Sequence, residues 1–204
     1  MGKSAAHSDI KLILLDLDGT LLNSRKEISP ANYNALARAA EKGIHIVPST
    51  GRFYEGMPEV VRKLPFVRYV VTVNGAEIYD AQEKRVLHSA LIGPEKADEV
   101  FAELDKLPVI YDCFQDGWGW MERRFHEQLE QFVADPYVLE MNRYLRTPLD
   151  GFRAEIRSRG RGVQKIQMLF RKEDMPLREK TLPALQARFP DLNVTSSIVN
   201  NIAQ

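Results

Sequence analysis

The sequence predicts an α/β fold, and the order of segments in its first eighty residues supports this class. Apolar runs of strand length lie at residues 12–17, 44–47 and 67–73. Segments with a helical pattern separate them, at residues 30–42 and 59–64. The order β-α-β-α-β is typical of a parallel sheet with right-handed crossovers. Open sheets of this kind bind ligands at the carboxyl ends of their strands, so that is where we look for function.

The first strand ends in two carboxylates. The apolar run Leu12–Leu17 is typical of a strand buried on both faces, and Asp16 and Asp18 project to one side while Leu17 projects to the other. Two like charges at the edge of a core are costly unless a proton or a cation neutralises them. The simplest neutralising group is a hard cation that prefers oxygen ligands, such as Mg²⁺. One carboxylate could then act as a nucleophile while its neighbour transfers protons. The alternative interpretation is an Asp-Gly turn that only ends a strand.

The next elements follow from capping and turn residues. Ser29 can cap a helix that has Pro30 in its first turn, and Gly43 can end it. The second strand, residues 44–47, contains His45, which we expect to be a hydrogen-bonded core histidine.

The dipeptide Asn74-Gly75 follows the third strand. It lies between apolar runs and predicts a tight hairpin into a fourth strand at residues 76–79. Because this turn lies at the carboxyl end of the third strand, Asn74 could also contact a ligand there. The sequence leaves both interpretations open.

Beyond residue 80 the pattern predicts a second module of the α+β type with a mostly antiparallel sheet. The predicted strands cover residues 86–92, 109–114, 118–121, 163–170 and 192–197, and the predicted helices cover 94–107, 123–133 and 176–189. Trp118 and Trp120 share one face of a strand, and packing in a core is favoured over stacking on a substrate.

Composition limits the classes of partner. Twenty-eight basic residues balance 28 acidic ones, so no global charge favours nucleic acid or a membrane surface. The locally basic stretch Arg153–Lys165 is better explained by a solvated loop with a strand edge than by an RNA site. Cys113 has no second cysteine to pair with, which is compatible with a reducing compartment. The sequence shows neither a signal peptide nor a membrane-spanning run. The expected location is therefore the cytoplasm. The oligomeric state stays open.

Three segments resemble motifs of the haloacid dehalogenase-like superfamily. The first motif is matched by Asp16-Leu17-Asp18-Gly19-Thr20-Leu21, and the second by residues 44–52, which end in Thr50-Gly51-Arg52. Together with Val73-Asn74-Gly75-Ala76, the pattern is similar to the Cof-type branch. The resemblance implies a Rossmann-like parallel-sheet core with an inserted α+β cap domain. It also implies a Mg²⁺-dependent phosphatase that acts on sugar phosphates or other small phosphorylated metabolites.

The resemblance assigns roles residue by residue. Asp16 would attack phosphorus, become a phospho-aspartate and ligate Mg²⁺. Asp18 would act as acid and base, with a pKa raised by its charged neighbour, and would ligate the metal through its backbone carbonyl. Thr50 and the amide of Gly51 would bind phosphoryl oxygens. Arg52 could bind phosphate or substrate, or lie on the surface at a helix start. The candidate substrate-binding residues are therefore Thr50, Gly51, Arg52 and Asn74.

The sequence also departs from the family pattern. The family has a lysine after the cap and then an acidic Gly-Asp loop, and no such segment precedes Gln204; Lys165 lies in a predicted cap strand and is not assigned that role. We therefore expect residues 1–81 to be the N-terminal part of a core that is incomplete on its C-terminal side, 82–200 a cap, and 201–204 the start of the return. The first strand would have a bare edge, and the 204 residues alone would have little activity. The alternative is a truncated or non-catalytic protein of the same fold that binds a phosphorylated ligand.

Overall fold

The computed structural model describes residues 10–196 and the backbone of residues 202–203. The chain divides into two compact units, residues 1–89 and 90–204. Each unit contains a mixed sheet with helices, so the predicted α/β class is confirmed. The division falls eight residues after the boundary expected from sequence, because residues 85–89 form a strand that pairs with the first sheet.

The first unit is built on one sheet with the order β1-β2-β3-β4-β5 in the described residues. Its strands are β1 (Leu12–Asp16), β2 (His45–Ser49), β3 (Tyr69–Thr72), β4 (Glu77–Asp80) and β5 (Arg85–Ser89). The helices are α1 (Pro30–Glu41) and α2 (Glu59–Arg62). Strands β1, β2 and β3 are parallel, and β3, β4 and β5 are antiparallel. The predicted β-α-β-α-β order and the hairpin after it are confirmed.

Helix α1 begins as its cap residues predict. The hydroxyl of Ser29 accepts a hydrogen bond from the backbone N–H of Asn32 at 3.1 Å, and Pro30 occupies the first helical position. Gly43 follows the end of the helix with a φ of +80°, a backbone conformation that glycine adopts without a Cβ penalty.

Strand β1 is less buried than its apolar sequence predicts. It lies at the edge of the sheet and pairs, among the described residues, with β2 alone. Leu12 is 49% exposed and Leu14 is 54% exposed, whereas Leu17 is fully buried. The prediction of burial on both faces is therefore wrong, because only one face of this edge strand packs against the rest of the unit. Among the residues that the structure describes, the other edge of β1 has no paired strand, as predicted.

The second unit contains a sheet with the order β10-β9-β6-β7-β8 in the described residues. Its strands are β6 (Ile110–Gln115), β7 (Trp118–Glu122), β8 (Arg146–Leu149), β9 (Lys165–Leu169) and β10 (Ile202–Ala203). The helices are α3 (Pro94–Leu104), α4 (Arg123–Glu127), α5 (Pro136–Tyr144), α6 (Phe152–Ser158) and α7 (Met175–Arg188). All pairs are antiparallel except β7 with β8.

Several elements of the second unit differ from the sequence-based expectation. The predicted helix at 123–133 is shorter, and α5, β8 and α6 were not predicted. Residues 192–195 form no strand, and residues 197–201 lie outside the described residues. Trp120 packs at the main core and its indole N–H donates to the carbonyl of Gln115 at 3.0 Å, so the favoured core interpretation holds for this ring.

The first half of the basic stretch lies in helix α6, whereas residues 159–164 form a connection to β9, which begins at Lys165. Arg153, in α6, contacts the carboxylates of Asp98 and Asp105 at 2.7 Å each. Lys165 is buried in β9. The arginine charge of α6 is thus directed at acidic side chains of the same unit. Over the described residues, none of the helices is long and apolar enough to cross a bilayer.

Candidate active site

The carboxyl end of β1 carries the two aspartates as alternation predicts. Asp16 is the last residue of the strand and is exposed, Leu17 is buried in the core, and Asp18 is half-buried. Gly19 follows with a φ of +81°, which allows the chain to turn. The hydroxyl of Thr20 donates to Asp16 Oδ2 at 3.4 Å, so it supports the first aspartate. Asp16 therefore presents its carboxylate at the surface of the strand end.

Asp18 is held by two cations. Arg52 reaches it with its guanidinium, placing Nη2 3.1 Å and Nε 3.3 Å from Oδ2. The ammonium of Lys26 donates to Oδ1 at 2.6 Å. Burial raises the pKa of Asp18, but the contacts with Lys26 and Arg52 outweigh burial and hold this pKa below its ordinary value. The prediction of a raised pKa is wrong for this state of the site, because two positive neighbours act on Asp18.

Arg52 therefore joins the two sequence motifs. It belongs to the Thr-Gly-Arg segment after β2, and its partner Asp18 belongs to the segment after β1. The sequence suggested that Arg52 binds phosphate or substrate, or lies on the surface at a helix start. Its contact with Asp18 is a third arrangement. The guanidinium is mostly buried and also donates to the carbonyl of Gly56 at 3.3 Å.

The segment after β2 is tied to the turn after β3 by two backbone hydrogen bonds. The N–H of Val73 donates to the carbonyl of Arg52 at 2.9 Å, and the N–H of Asn74 donates to the carbonyl of Thr50 at 3.0 Å. Thr50 is buried, and its hydroxyl accepts from the N–H of Arg52 at 3.3 Å. A Cβ placed on Gly51 would lie 3.0 Å from Asn74 Oδ1, so Gly51 and the Asn74 side chain approach each other closely. The four candidate substrate-binding residues are thus neighbours.

The turn after β3 has an uncommon backbone. Val73, Asn74 and Gly75 have φ values of +50°, +58° and +98°. A left-handed conformation is unfavourable for a β-branched residue such as Val73, and such strain is found mainly at functional sites. Asn74 forms the connection between β3 and β4 and also lies against Gly51, so both sequence-based interpretations of its position are compatible with the structure.

Lys26 is the residue that sequence reasoning missed. It lies in the turn Asn23–Glu27, where the side-chain oxygen of Asn23 accepts from the N–H groups of Arg25 and Glu27 at 2.9 and 3.0 Å. Lys26 itself has a φ of +60°. The asparagine at the start of this turn is a recognisable signal, but the sequence contains nothing that directs the lysine toward Asp18.

The donor set at this strand end suits a hard cation with few protein ligands. Asp16 offers an exposed carboxylate and Asp18 a backbone carbonyl, while the carboxylate of Asp18 is engaged by cations. The described part of the chain contains no group of three or more His, Cys, Asp or Glu side chains that could hold a metal. Mg²⁺ is commonly bound by one or two carboxylates together with water and substrate phosphate, which fits two oxygen donors. His45 is exposed near Tyr69 rather than buried, since β2 turns this residue outward.

Comparison with known proteins identifies the family. The sequence profile of the haloacid dehalogenase-like hydrolases matches residues 13–202. This chain belongs to that family. The match covers nearly the whole sequence and includes both segments that Arg52 and Asp18 join.

Two curated relatives and one solved structure illustrate the similarity. Phosphatase YwpJ of Bacillus subtilis is 38% identical over 105 residues, which are 52% of this chain and 36% of that protein. The 5-amino-6-(5-phospho-D-ribitylamino)uracil phosphatase YcsE of the same organism is 41% identical over 85 residues, 40% of this chain and 34% of that protein. The crystal structure of TM0651 from Thermotoga maritima has a TM-score of 0.73 at 21% identity, covering 95% of this chain and 68% of that one, and supports the fold. The matched region thus spans about a third of the length of these curated relatives.

Proposed function

We propose that this chain carries the phosphoryl-transfer residues of a Mg²⁺-dependent phosphatase of small phosphorylated metabolites. The observation that carries the proposal is the contact of Arg52 with Asp18, because it brings the two family motifs together. The backbone hydrogen bonds from Val73 and Asn74 add the turn after β3 to the same place.

Asp16 is the proposed nucleophile. Its exposed carboxylate could attack phosphorus in line and form a phospho-aspartate while the substrate alkoxide leaves. Asp18 would give a proton to the departing alkoxide and then take one from the water that hydrolyses the acyl-phosphate. Leu17 fixes the spacing of the pair, because its side chain is buried on the opposite side of the chain. The phospho-aspartate divides one difficult displacement into two easier ones.

Binding of the phosphoryl group would fall to the segments after β2 and β3. Thr50 and the N–H of Gly51 are proposed donors to its oxygens, and Asn74 lies beside them. The planar guanidinium of Arg52 suits a phosphate as well as a carboxylate. An incoming phosphate dianion would therefore compete with Asp18 for Arg52, which couples substrate binding to release of the acid/base residue.

The proposed metal ligands are the carboxylate of Asp16 and the backbone carbonyl of Asp18. The chemistry supplied there by bound Mg²⁺ is neutralisation of negative charge on the carboxylate and the phosphoryl group. This agrees with a donor set that consists of oxygen atoms. The substrate class follows the family and its relatives, one of which is named for a phosphorylated ribityl compound.

The test is turnover together with covalent labelling of Asp16. The full natural reading frame that contains these residues is assayed with Mg²⁺ on a panel of sugar phosphates and 5-amino-6-(5-phospho-D-ribitylamino)uracil. We expect Asp16→Asn to lower kcat by about a thousandfold or more, since no carboxylate nucleophile remains. Mass spectrometry of the quenched wild-type reaction should find phosphate on Asp16.

The matched control is Asp150→Asn, which changes an exposed aspartate of the second unit that contacts Arg123. It should leave kcat unchanged. Turnover that survives Asp16→Asn would reject the proposed nucleophile. Saturable binding of phosphorylated ligands with neither turnover nor labelling would favour the alternative, a non-catalytic protein of the same fold that binds a phosphorylated ligand.

A further inference from the structure

Lys26 is a cation of the candidate site to which the proposed chemistry assigns no role. Its ammonium donates to Asp18 Oδ1 at 2.6 Å, and its side chain is 34% exposed. Arg52 holds the same carboxylate, with Nη2 3.2 Å from Oδ1 and 3.1 Å from Oδ2. Because Arg52 alone already contacts both oxygens in this state of the site, Lys26 adds a positive charge rather than a missing contact.

The segment that carries Lys26 is attached to the strand end by backbone hydrogen bonds. The N–H of Leu21 donates to the carbonyl of Asp16 at 3.2 Å. Leu22 is buried and pairs with Ile28 in an antiparallel bridge that closes the turn between them. The position of the turn relative to the two aspartates is therefore set by the backbone.

The turn itself directs its two cations to different partners. The N–H of Lys26 donates to the carbonyl of Asn23 at 2.9 Å, and the N–H of Asn23 donates to the carbonyl of Glu27 at 3.0 Å. Arg25 contacts the carboxylate of Glu27 at 2.9 Å, within the turn. Lys26 instead extends out of the turn to Asp18, so its charge is placed at the candidate site.

Lys26 and Arg52 reach Asp18 from separate segments. Arg52 directly follows Thr50 and Gly51, the proposed phosphate donors, so its guanidinium belongs to the phosphoryl side of the site. Lys26 comes from the turn after the first motif and contacts Oδ1, whereas Arg52 Nε contacts Oδ2. In the proposed function Asp18 protonates the leaving oxygen. The ammonium of Lys26 is thus separated from the leaving group by one carboxylate.

An ammonium in this position can hold two carboxylates at once. It has three N–H donors and no fixed plane, so the contact with Asp18 does not prevent a second contact with a ligand. Lys26 is only partly exposed, and attraction between opposite charges is stronger there than in bulk water. A neutral leaving group would gain nothing from this charge.

We propose that Lys26 selects phosphate monoesters whose leaving group carries a carboxylate close to the ester oxygen. This inference rests on the proposed function and narrows the substrate class of that site. The ammonium contacts the substrate carboxylate and keeps its contact with Asp18, while the phosphoryl group lies with the segments after β2 and β3. The substrate carboxylate has to be near the ester oxygen, because only the side chain of Asp18 separates Lys26 from that oxygen.

The test compares two substrates that differ in one group. 3-Phosphoglycerate has a carboxylate where glycerol 3-phosphate has a hydroxymethyl group. Values of kcat/KM are measured for the full natural reading frame with Mg²⁺ near neutral pH. We expect the wild-type protein to favour 3-phosphoglycerate by about tenfold or more, since discrimination follows the difference in transition-state binding.

Lys26→Met should abolish this preference, and Lys26→Arg should keep it, because arginine restores the cation. A loss that arises through Asp18 lowers kcat/KM for both substrates, so the ratio of the two values reports on the substrate carboxylate. The matched control is Lys63→Met, which removes an exposed lysine of the same unit that contacts Glu59. It should leave the ratio unchanged.

A second variant covers the case in which Lys26→Met disturbs the turn. Lys26 has a φ of +60°, a conformation that asparagine adopts more readily than other residues with a side chain. Lys26→Asn therefore removes the cation while it preserves the turn, and it should also abolish the preference.

The outcomes separate this inference from the proposed function. Equal kcat/KM for the two substrates in the wild-type protein, with phosphate found on Asp16, would overturn the role of Lys26 and leave the phosphatase proposal intact. A preference that survives both Lys26→Met and Lys26→Asn would also overturn it. Absence of turnover on every phosphate monoester would reject both proposals together.

Discussion

At the scale of single residues, the contact between Arg52 and Asp18 changes how the first motif is understood. The sequence indicated two carboxylates that need a cation, and the structure supplies two such cations from the chain itself, Arg52 and Lys26. The charge of Asp18 is thereby neutralised from within the unit, while Asp16 stays exposed. The two aspartates of one motif therefore have different electrostatic surroundings, which suits different chemical roles.

Lys165 provides a prediction of pH-dependent stability. Its folded-state pKa of about 7 lies below the ordinary value of 10.5, because burial opposes the charged form and Arg146 repels it. The unfolded chain therefore binds more protons than the folded chain between these two values, and the free energy of unfolding should rise with pH across that window. Lys165→Met should remove this rise, as measured by urea unfolding at the two ends of the window.

The control for this prediction is Lys106→Met, an exposed lysine of the same unit, which should keep the wild-type pH dependence. An equal rise in the Lys165→Met variant would show that other groups cause it.

At the scale of elements, the loops after β2 and β3 act as one structural piece. Two backbone hydrogen bonds and the packing of Asn74 on Gly51 connect them, and Val73 is held in a left-handed conformation. Such a conformation costs about 1–2 kcal/mol for a residue with a Cβ, so surrounding contacts must maintain it. The arrangement gives the proposed phosphate site a rigid base.

Gly51→Ala should separate site geometry from stability. The new Cβ would lie 3.0 Å from the end of the Asn74 side chain, which can move aside at little cost in stability. We expect a loss of about tenfold or more in kcat/KM on the best substrate of the panel with a melting temperature close to wild type, because displaced donors weaken binding of the transferring group.

The double variant Gly51→Ala/Asn74→Ala tests the cause of that loss. If the clash with Asn74 is responsible, the two substitutions will be clearly non-additive in a double-mutant cycle. Full additivity would show that Gly51 acts independently of Asn74.

Local signals account for most, but not all, of the elements that were predicted or missed. Ser29, Pro30 and Gly43 correctly indicated α1, and Asn74-Gly75 correctly indicated the hairpin. Helix α5 was missed although Asp135 and Pro136 give it the same kind of start signal as α1, whereas the short helix α6 has no side-chain cap. The contact of Lys26 with Asp18 could not be predicted. The two residues are eight positions apart, and the path of the intervening turn decides where the lysine side chain lies.

At the scale of the whole molecule, the open edge of the first sheet predicts self-association. β1 presents one unpaired edge among the described residues, with Leu12 and Leu14 about half exposed on it. Edges of this kind template pairing with other chains. We expect the 204-residue chain to self-associate at concentrations of about tens of micromolar, as measured by sedimentation velocity.

Leu14→Lys should reduce this self-association, because a charge on the exposed face of an edge strand disfavours pairing. The matched control, Val60→Lys, places the same charge at a half-exposed position on α2 and should change little. A chain that stays monomeric without the substitution would contradict the prediction.

The sequence by itself determined the α/β class, the order of the first elements and the residues of the two motifs, because strand periodicity, caps and turns act over a few neighbours. Only the tertiary structure decided that Arg52 and Lys26 converge on Asp18, that β1 lies at an exposed edge, and that Asp112, Arg146 and Lys165 share one buried face. These contacts join residues from different strands and turns. Their partners are chosen by register and packing, which no local pattern in the sequence specifies.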